Sequence, residues 1–397
     1  MKIVHLAPYL QDDAGRVITD LAVGQRATGH QVTVVASRTG VPGFSNSRVH
    51  LDRLDASGVT TYLTDSLFVR DYAANLSVVR LLADVVGAHD GPDVLHAHGV
   101  VAGVIALLFA GRRRRPMGLL YTMHEWHVTK AAGQAAADVH VLNLMDRVTT
   151  SSAHSAALLR GLGVSGGHLR IVPCGADEAH LEPDNRDRAV LEDMRRARKR
   201  GALVVACVGT IDARNNQTLL VEAFARMGQM TGVAPCYGVF AGDGDVQGLS
   251  AAIQAAGLTG QLVVRGFTHA SRLIASGADV LVVPSRSHGH PIEIVEAFCD
   301  RTLVLAPDAP ELSELVTDGV TGYRFADGNV EALARVIRAL ADRPDAERGS
   351  VVERARRRYE QLHTLRGMLD AFDAEYHVIA PEASSRQSYR HLRVAGG

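Results

Sequence analysis

This 397-residue sequence predicts two successive α/β halves, each a parallel sheet wound with helices. Three observations lead there. Strand-like and helix-like patterns alternate almost throughout, the signature of parallel α/β architecture. Several strand patterns are short continuous apolar runs, as expected of strands covered on both faces. A charge-dense stretch, residues 177–200, shows no buried-strand pattern and separates one alternating series from the next. The length allows two or three domains with sizeable cores.

In the first half, residues 2–7 read as a strand and Gln11-Asp12-Asp13-Ala14-Gly15 as a polar loop. Val17, Ile18, Leu21 and Ala22 form the apolar stripe of a helix that Gly29 ends, and residues 31–36 are the next strand. The first loop carries a glycine but no G-x-G-x-x-G, so this is no dinucleotide fingerprint. Further strands are read at 93–98, 119–123 and 146–150, with Ser152 opening a helix, and residues 169–172 close this half at Pro173-Cys174-Gly175. After the charged stretch, read as a linker and an exposed helix, residues 203–208 form a strand and 209–216 a loop. Leu219, Leu220, Ala223, Phe224 and Met227 make a helical stripe, and residues 237–241 are a strand running into Gly242-Asp243-Gly244-Asp245. Strands at 261–264, 278–283 and 302–306 follow, each with a helical pattern behind it, and residues 331–376 read as helical. Residues 381–397 are polar and aperiodic and read as a mobile tail. Ligands of such sheets bind at the carboxyl ends of strands, so the loops starting at Gly209, Gly242, Pro284 and Pro307 are the candidates.

Composition, 47% hydrophobic and 21% charged, is that of a globular chain, and a formal net charge of −1 argues against a nucleic-acid partner. Cys174, Cys207, Cys236 and Cys299 are far apart and form no C-x-x-C, so thiols in a reduced cytoplasm are expected, not a zinc ribbon or a redox pair. The opening MKIVHLAPYL enters a strand pattern directly, without signal-peptide architecture. The longest apolar run, residues 100–110, is too short to span a bilayer.

The stretch PSRSHGHPIEIVE, residues 284–296, carries the most chemistry. An apolar strand precedes it, and Ile292, Val295, Glu296 and Phe298 then recur with helical spacing. Pro291 suits the first helical position, where its missing N–H costs nothing. The amides of Gly289, His290 and Ile292 would lie in a turn at the positive end of that helix, suited to hydroxyl or phosphate oxygens. Glu293 and Glu296, three apart, fall on adjacent faces of the first turn, and a carboxylate there can accept two hydrogen bonds from a vicinal diol such as ribose. The same stretch is also compatible with an ordinary βα loop in which Glu293 merely offsets the helix dipole.

Five stretches in order resemble the family-four retaining glycosyltransferases, over nearly the whole chain. They are residues 93–98 (DVLHAH), 171–177 (IVPCGAD), 208–216 (VGTIDARNN), 241–244 (AGDG) and 284–296, continuing to 318–323 (DGVTGY). The resemblance implies the GT-B fold: two Rossmann-like domains facing a cleft, residues 1–178 binding the acceptor and 179–362 the nucleotide-sugar. A helix at 363–380 would return to the first domain. The family signature is two glutamates separated by seven residues. Glu296 matches the second, which holds the ribose, but His288 stands at the first. An Arg or Lys pair usually meets the diphosphate after Gly209; here Thr210 and Asn215 occupy those places, with Arg214 beside them. Losing such a lysine costs roughly 10²–10³ in rate if nothing replaces it. Arg214, Arg286, His288 or the helix start at Pro291 could compensate. Pro310-Glu311 stands where a glycine pair is common, and Glu314 still matches the glutamate after it.

The resemblance implies transfer with retention, the nucleotide diphosphate leaving as the acceptor attacks from the same face. The resulting assignments are His124, His288 and Arg214 as catalytic, and Gly15, Arg16, Gly209, Thr210, Asn215, Gly289, His290, Pro291, Ile292, Glu293 and Glu296 as donor-binding. The Asp13–Arg16 loop would serve the donor–acceptor junction with His124. The acceptor is expected to be small and polar, such as an aminocyclitol, and the chain cytoplasmic, with no cofactor, no metal and no transmembrane segment, and compatible with a homodimer. His96, His98, His124 and His127 with Glu125 look like a metal set, but their spacing fits no zinc motif. Asp243-Gly244-Asp245 reads as a turn rather than a metal-binding D-x-D. Arg112–Arg115 reads as a solvated loop rather than a lipid anchor. Trp126 fits packing and stacking on an acceptor equally. The alternatives are a nucleotide-sugar-binding protein without turnover and a relative catalysing non-glycosidic coupling or epimerisation.

Overall fold

The structure is a computed structural model that describes residues 1–38, 47–64, 67–86, 91–112, 116–126, 130–178, 182–230, 232, 234–285 and 291–380. It divides into unit 1, Met1–Val41, Asn46–Pro173 and Arg366–Gly397, and unit 2, Cys174–Leu365 together with Pro42–Ser45. Residues 174–178 and 363–365 thus go with unit 2.

Unit 1 runs β1 (Lys2–Ala7), α1 (Asp12–Ala27), β2 (Gln31–Ser37), α2 (Ser47–Ala56), β3 (Thr60–Thr64), α3 (Tyr72–Val85), β4 (Val94–Ala97), α4 (Val100–Ala110), β5 (Gly118–Met123), α5 (Ala132–Asn143), β6 (Arg147–Thr150), α6 (Ala153–Gly161) and β7 (Leu169–Ile171). Its parallel sheet has the order β3-β2-β1-β4-β5-β6-β7, so the winding reverses between β1 and β4. Both faces are covered, which is why β1, β4 and β5 read as apolar runs: every residue of β4 and β5 is buried. The run at 100–110 is helix α4, seated on that core through Val101, Ile105 and Phe109.

Unit 2 runs α7 (Asn185–Lys199), β8 (Leu203–Val208), α8 (Thr218–Met227), β9 (Cys236–Ala241), α9 (Val246–Ala255), β10 (Leu262–Gly266), α10 (Ser271–Ser276), β11 (Val280–Val282), α11 (Ile292–Cys299), β12 (Leu303–Pro307), a 3-10 turn at Pro310–Leu312, β13 (Tyr323–Phe325), α12 (Val330–Asp342) and α13 (Asp345–Leu362). The last helix, α14 (Leu365–Ile379), belongs to unit 1 from Arg366 on. The parallel order β10-β9-β8-β11-β12-β13 reverses between β8 and β11. The stripe of α8 is buried as its spacing requires, with Leu219, Leu220, Ala223, Phe224 and Met227 all in the core. Helix α7 is held by a capping box in which Asp184 and Asp187 serve each other's backbone N–H.

An aspartate opens three strand patterns for a physical reason. The first N–H groups of a strand have no ladder partner on one side and need an acceptor. Asp93 accepts from Lys2 N at 2.9 Å, Asp146 from Leu119 N at 2.8 Å and Asp279 from Val204 N at 2.8 Å, each reaching across to the neighbouring strand.

One expectation needs correction here. Residues 11–15 are not a loop, because α1 begins at Asp12 and takes Gly15 and Arg16 into its first turns. Acidic residues favour the positive end of a helix. Glycine is required at 15 by space, since a Cβ there would lie 2.4 Å from the Leu10 carbonyl carbon.

Candidate active site

In unit 2, the β8/β11 reversal leaves a crevice at the strands' carboxyl ends, where open α/β sheets bind ligands. Three segments reach it. After β8 the chain turns at Gly209, whose φ of 114° suits only glycine. After β9, Gly242 lies directly on it: a Cβ at Gly242 would be 1.8 Å from Gly209 O. Ile211 N donates to Asp243 O at 2.6 Å and Asp245 N to Ile211 O at 2.9 Å, so the loops are zipped backbone to backbone. This accounts for Gly242-Asp243-Gly244-Asp245 as a turn. Asp243 accepts from Gly244 N at 2.9 Å, and Asp245 caps α9 by accepting from Gly248 N at 2.9 Å.

The polar side chains of the β8 loop bond largely to the loop itself. Asp212 accepts from the backbone N–H of Arg214 at 2.9 Å and of Asn215 at 2.8 Å, and pairs with the Arg214 guanidinium at 3.1 Å. Asn215 Nδ2 and Gln217 Nε2 each donate to Thr210 O at 2.7 Å. Asn215 thus stiffens the turn where the family resemblance implies a lysine, and the charge of Arg214 is offset by Asp212.

The third segment is the start of α11. Pro291, with φ −62° and ψ 117°, precedes the helix as its N-cap, not as its first residue, and Ile292 and Glu293 begin the turn. Glu296, 7% exposed, points its carboxylate toward Arg272, with Nη1 at 3.9 Å from Oε1. Arg272, 5% exposed, is gripped by Asp300 through two bonds of 2.7 Å and lies 3.6 Å from Asp177. Burial works against its charge, but the Asp300 bonds and the nearby Glu296 carboxylate outweigh it and hold the guanidinium firmly protonated. Arg272 is thus a close charged neighbour of Glu296, a partnership without a local sequence signal. His288, Gly289 and His290, with Arg286, lie outside the described residues, as do His127 and Arg113–Arg115.

In unit 1 the β1/β4 reversal gathers histidines. His5 on β1 stands in register with His96 on β4, and His98 follows two residues on, so all three share one face of the sheet. His5 Nδ1 meets His98 Nε2 at 2.9 Å, and His98 Nδ1 meets His124 Nε2 at 3.0 Å. Burial pushes His5 and His124 down to about 4 and holds His96 and His98 well below the ordinary range, so all four are neutral at pH 7. His124 is half-buried at the outer end of the row. Gly15 and Arg16 lie instead on α1. Arg16 pairs with Asp20 at 3.5 Å, and Asp20 also binds Arg53.

Trp126 is a packing residue. It is 4% exposed in the unit 1 core, and Lys130 Nζ covers its face at 3.8 Å while pairing with buried Asp138 at 3.0 Å. A depression lined by Arg198, Arg301, Arg343 and Arg348 opens at the amino ends of unit 2's strands, the edge opposite the crevice. Its arginines pair with Asp279, Glu353, Glu347 and Asp345, so it lacks the character of an anion site.

Two family models match: "Glycosyltransferase Family 4" over residues 14–180 and "Glycosyl transferases group 1" over residues 192–358. A D-inositol 3-phosphate glycosyltransferase of Nocardia farcinica is 27% identical over 310 residues, covering 72% of this chain and 68% of that one. An alpha-D-kanosaminyltransferase of Streptomyces kanamyceticus is 28% identical over 145 residues, 36% of this chain and 37% of its own. Among solved structures, Anabaena HepE in complex with UDP and glucose superposes with a TM-score of 0.76 at 18% identity, over 95% of this chain and 100% of HepE. No described helix is long and apolar enough to cross a membrane.

Proposed function

Because the chain belongs to glycosyltransferase family 4 and folds as GT-B, we propose that it moves a hexose from a nucleotide-sugar to a small polar acceptor, with retention at the anomeric carbon. The observation that carries this reading is Glu296: a buried carboxylate beside Arg272, in the first turns of the helix that follows β11 at the sheet's reversal. A carboxylate there can accept two hydrogen bonds from the ribose diol, and the start of α11 favours phosphate oxygens. The bond between the anomeric carbon and the diphosphate oxygen breaks, and its electron pair leaves with the nucleotide. The acceptor hydroxyl bonds to the same face of the sugar, and the departing phosphate takes its proton. In this reading atoms and protons balance without a metal or a cofactor. His124 is the unit 1 residue assigned to the reacting groups.

The name of one relative, a D-inositol 3-phosphate glycosyltransferase, supports a cyclitol-type acceptor. Such an acceptor suits a natural-product pathway and a cytoplasmic enzyme.

A second reading, nucleotide-sugar binding without turnover, is favoured by the β8 loop, where Asn215 bonds to Thr210 O and Arg214 to Asp212. One experiment separates the two. The protein is incubated with UDP-, GDP- and ADP-sugars, with and without inositol phosphates and aminocyclitols, and products are resolved by mass spectrometry and NMR. An α-linked product from an α-donor establishes retaining transfer. Tight donor binding with neither transfer nor hydrolysis establishes the second reading.

A further inference from the structure

The contact between His124 and His98 is the outer end of a hydrogen-bonded string that crosses the interior of unit 1. Inward of His98 lie His5 and then Gln25, whose Oε1 is 2.8 Å from His5 Nε2. Gln25 Nε2 meets the Tyr376 hydroxyl at 3.0 Å, and that hydroxyl meets His96 Nδ1 at 2.7 Å. His96 Nε2 meets Thr122 Oγ1 at 2.6 Å, Thr122 meets Thr149 Oγ1 at 2.6 Å, and Thr149 reaches Tyr121 O at 3.4 Å. His5, His96 and His98 could offer ligand atoms within 4.8 Å of one another. Each of their six ring nitrogens already faces one of these partners, so a cation there would have to break the string.

The string has a direction. A carbonyl only accepts, so Thr149 donates to Tyr121 O. Thr122 then donates to Thr149, His96 Nε2–H to Thr122, and the Tyr376 hydroxyl to His96 Nδ1. The Tyr376 oxygen accepts from Gln25 Nε2–H, which turns Gln25 Oε1 toward His5 Nε2–H. His5 Nδ1 is left bare and accepts from His98 Nε2–H, and His98 Nδ1 accepts from His124 Nε2–H. Every imidazole carries one proton, and each bond of the string joins one donor to one acceptor. Running the string backwards would require Gln25 to swing its amide about and would leave Tyr121 O without the Thr149 proton.

We propose that Gln25, acting through His5 and His98, decides which nitrogen of His124 carries the proton, so that His124 offers its bare Nδ1 as an acceptor to a substrate hydroxyl. This rests on the reading above that places His124 at the transfer site. Gln25, His5 and His98 are then positioning residues. Their neutrality follows from burial, which disfavours the charged form at every ring in the row. Fixing a tautomer through the far nitrogen is how histidine is commonly set for one task.

The test uses the full-length protein labelled with ¹⁵N-histidine, since ring nitrogen shifts distinguish protonated from bare positions. His124 is assigned by comparison with His124→Asn. In the unaltered protein it should be protonated on Nε2; protonation on Nδ1 overturns the proposal. Gln25→Leu removes the acceptor and should give a mixture of tautomers at His124. Gln25→Glu keeps an acceptor toward His5 and should restore the single tautomer. An unchanged spectrum in Gln25→Leu also overturns the proposal. With whichever nucleotide-sugar of the panel is turned over, Gln25→Leu should lower kcat by roughly tenfold, part of the 10²–10⁴ that a correctly protonated side chain contributes, with KM for the donor unchanged. If the tautomer shifts and kcat does not, Gln25 still sets the tautomer but the placement of His124 at the transfer site falls. The spectra remain decisive even if no donor is turned over.

Discussion

Glu296→Ala should abolish most of the affinity for a nucleoside diphosphate while leaving the fold intact. Glu296 lies 3.9 Å from Arg272 Nη1. At an effective dielectric of about 20, a charge pair at that distance has a gross attraction of roughly 4 kcal/mol. Withdrawing the carboxylate from water offsets most of that, and Arg272 keeps both of its 2.7 Å bonds to Asp300. Stability should therefore fall by less than the roughly 3–5 kcal/mol that removing one partner of a buried ion pair usually costs. Binding is different. Two charge-assisted hydrogen bonds to a ribose diol contribute about 1.5 kcal/mol each at the lower end of their range, so their loss weakens binding by about 3 kcal/mol, or roughly a hundredfold in Kd. Isothermal titration with UDP, GDP and ADP reads the affinity, and a urea transition reads the stability. Glu296→Gln keeps the shape and one acceptor oxygen, and should fall between wild type and Ala. A folded Glu296→Ala protein that binds its nucleotide as tightly as wild type would show that Glu296 only neutralises Arg272.

Four further outcomes are expected. Stability should fall in acid. His5 and His50 are held down to about 4, His5 by burial and His50 by burial and by Arg16 and Arg53. The unfolded chain therefore binds more protons once the pH drops below about 6.5, and each of the two costs about 1.4 kcal/mol by pH 5.5. His96, His98 and His124 act in the same direction; a urea midpoint that stays flat from pH 8 to 5.5 refutes the buried neutral row. Gly242→Ala should destabilise by about 3 kcal/mol, because the new methyl would lie 1.8 Å from Gly209 O. Gly133→Ala in α5, with nothing within 4 Å of its Cβ, should be neutral or stabilising in the same urea assay. Asn215→Lys gives up one of the two bonds to Thr210 O, and Gln217 keeps the other; the variant should raise the preference for UDP over UMP roughly tenfold, as one added cation does for a phosphate. An unchanged ratio by titration places the diphosphate away from this loop.

The elements legible in the sequence were those with an uninterrupted pattern. β1, β4, β5, β8, β9 and β11 are apolar runs because parallel strands are covered on both sides. Residues 47–85 gave no such signal, although they form α2, β3 and α3. Strand β3, TTYLT, is an edge strand whose residues are half-buried or exposed, so it need not look apolar. The start of α1 was hidden because Asp, Asp and Gly are also loop formers; here the glycine answers a close approach to Leu10. Among the candidate residues, Glu296 and His124 stand out by residue type and place. Gln25 and Tyr376 could not, since they are 351 positions apart and meet only once the last helix docks. His5 could have been found by pairing the first strand with the fourth, which sets it beside His96. Arg272 and Asp300 are joined by the packing of α10 beside α11.

The tyrosine in the middle of that polar string has a consequence for how the chain is made. It lies on α14, whereas the other side chains of the string come from the first 149 residues. A ribosome adding about 5–20 residues per second needs on the order of 10–40 s to travel from Pro173 to the last helix. Throughout that interval the nascent first sheet has a gap where the phenol will sit, with Gln25 and His96 facing it. Unit 2 can therefore complete its own core before unit 1 does, although its residues are synthesised later.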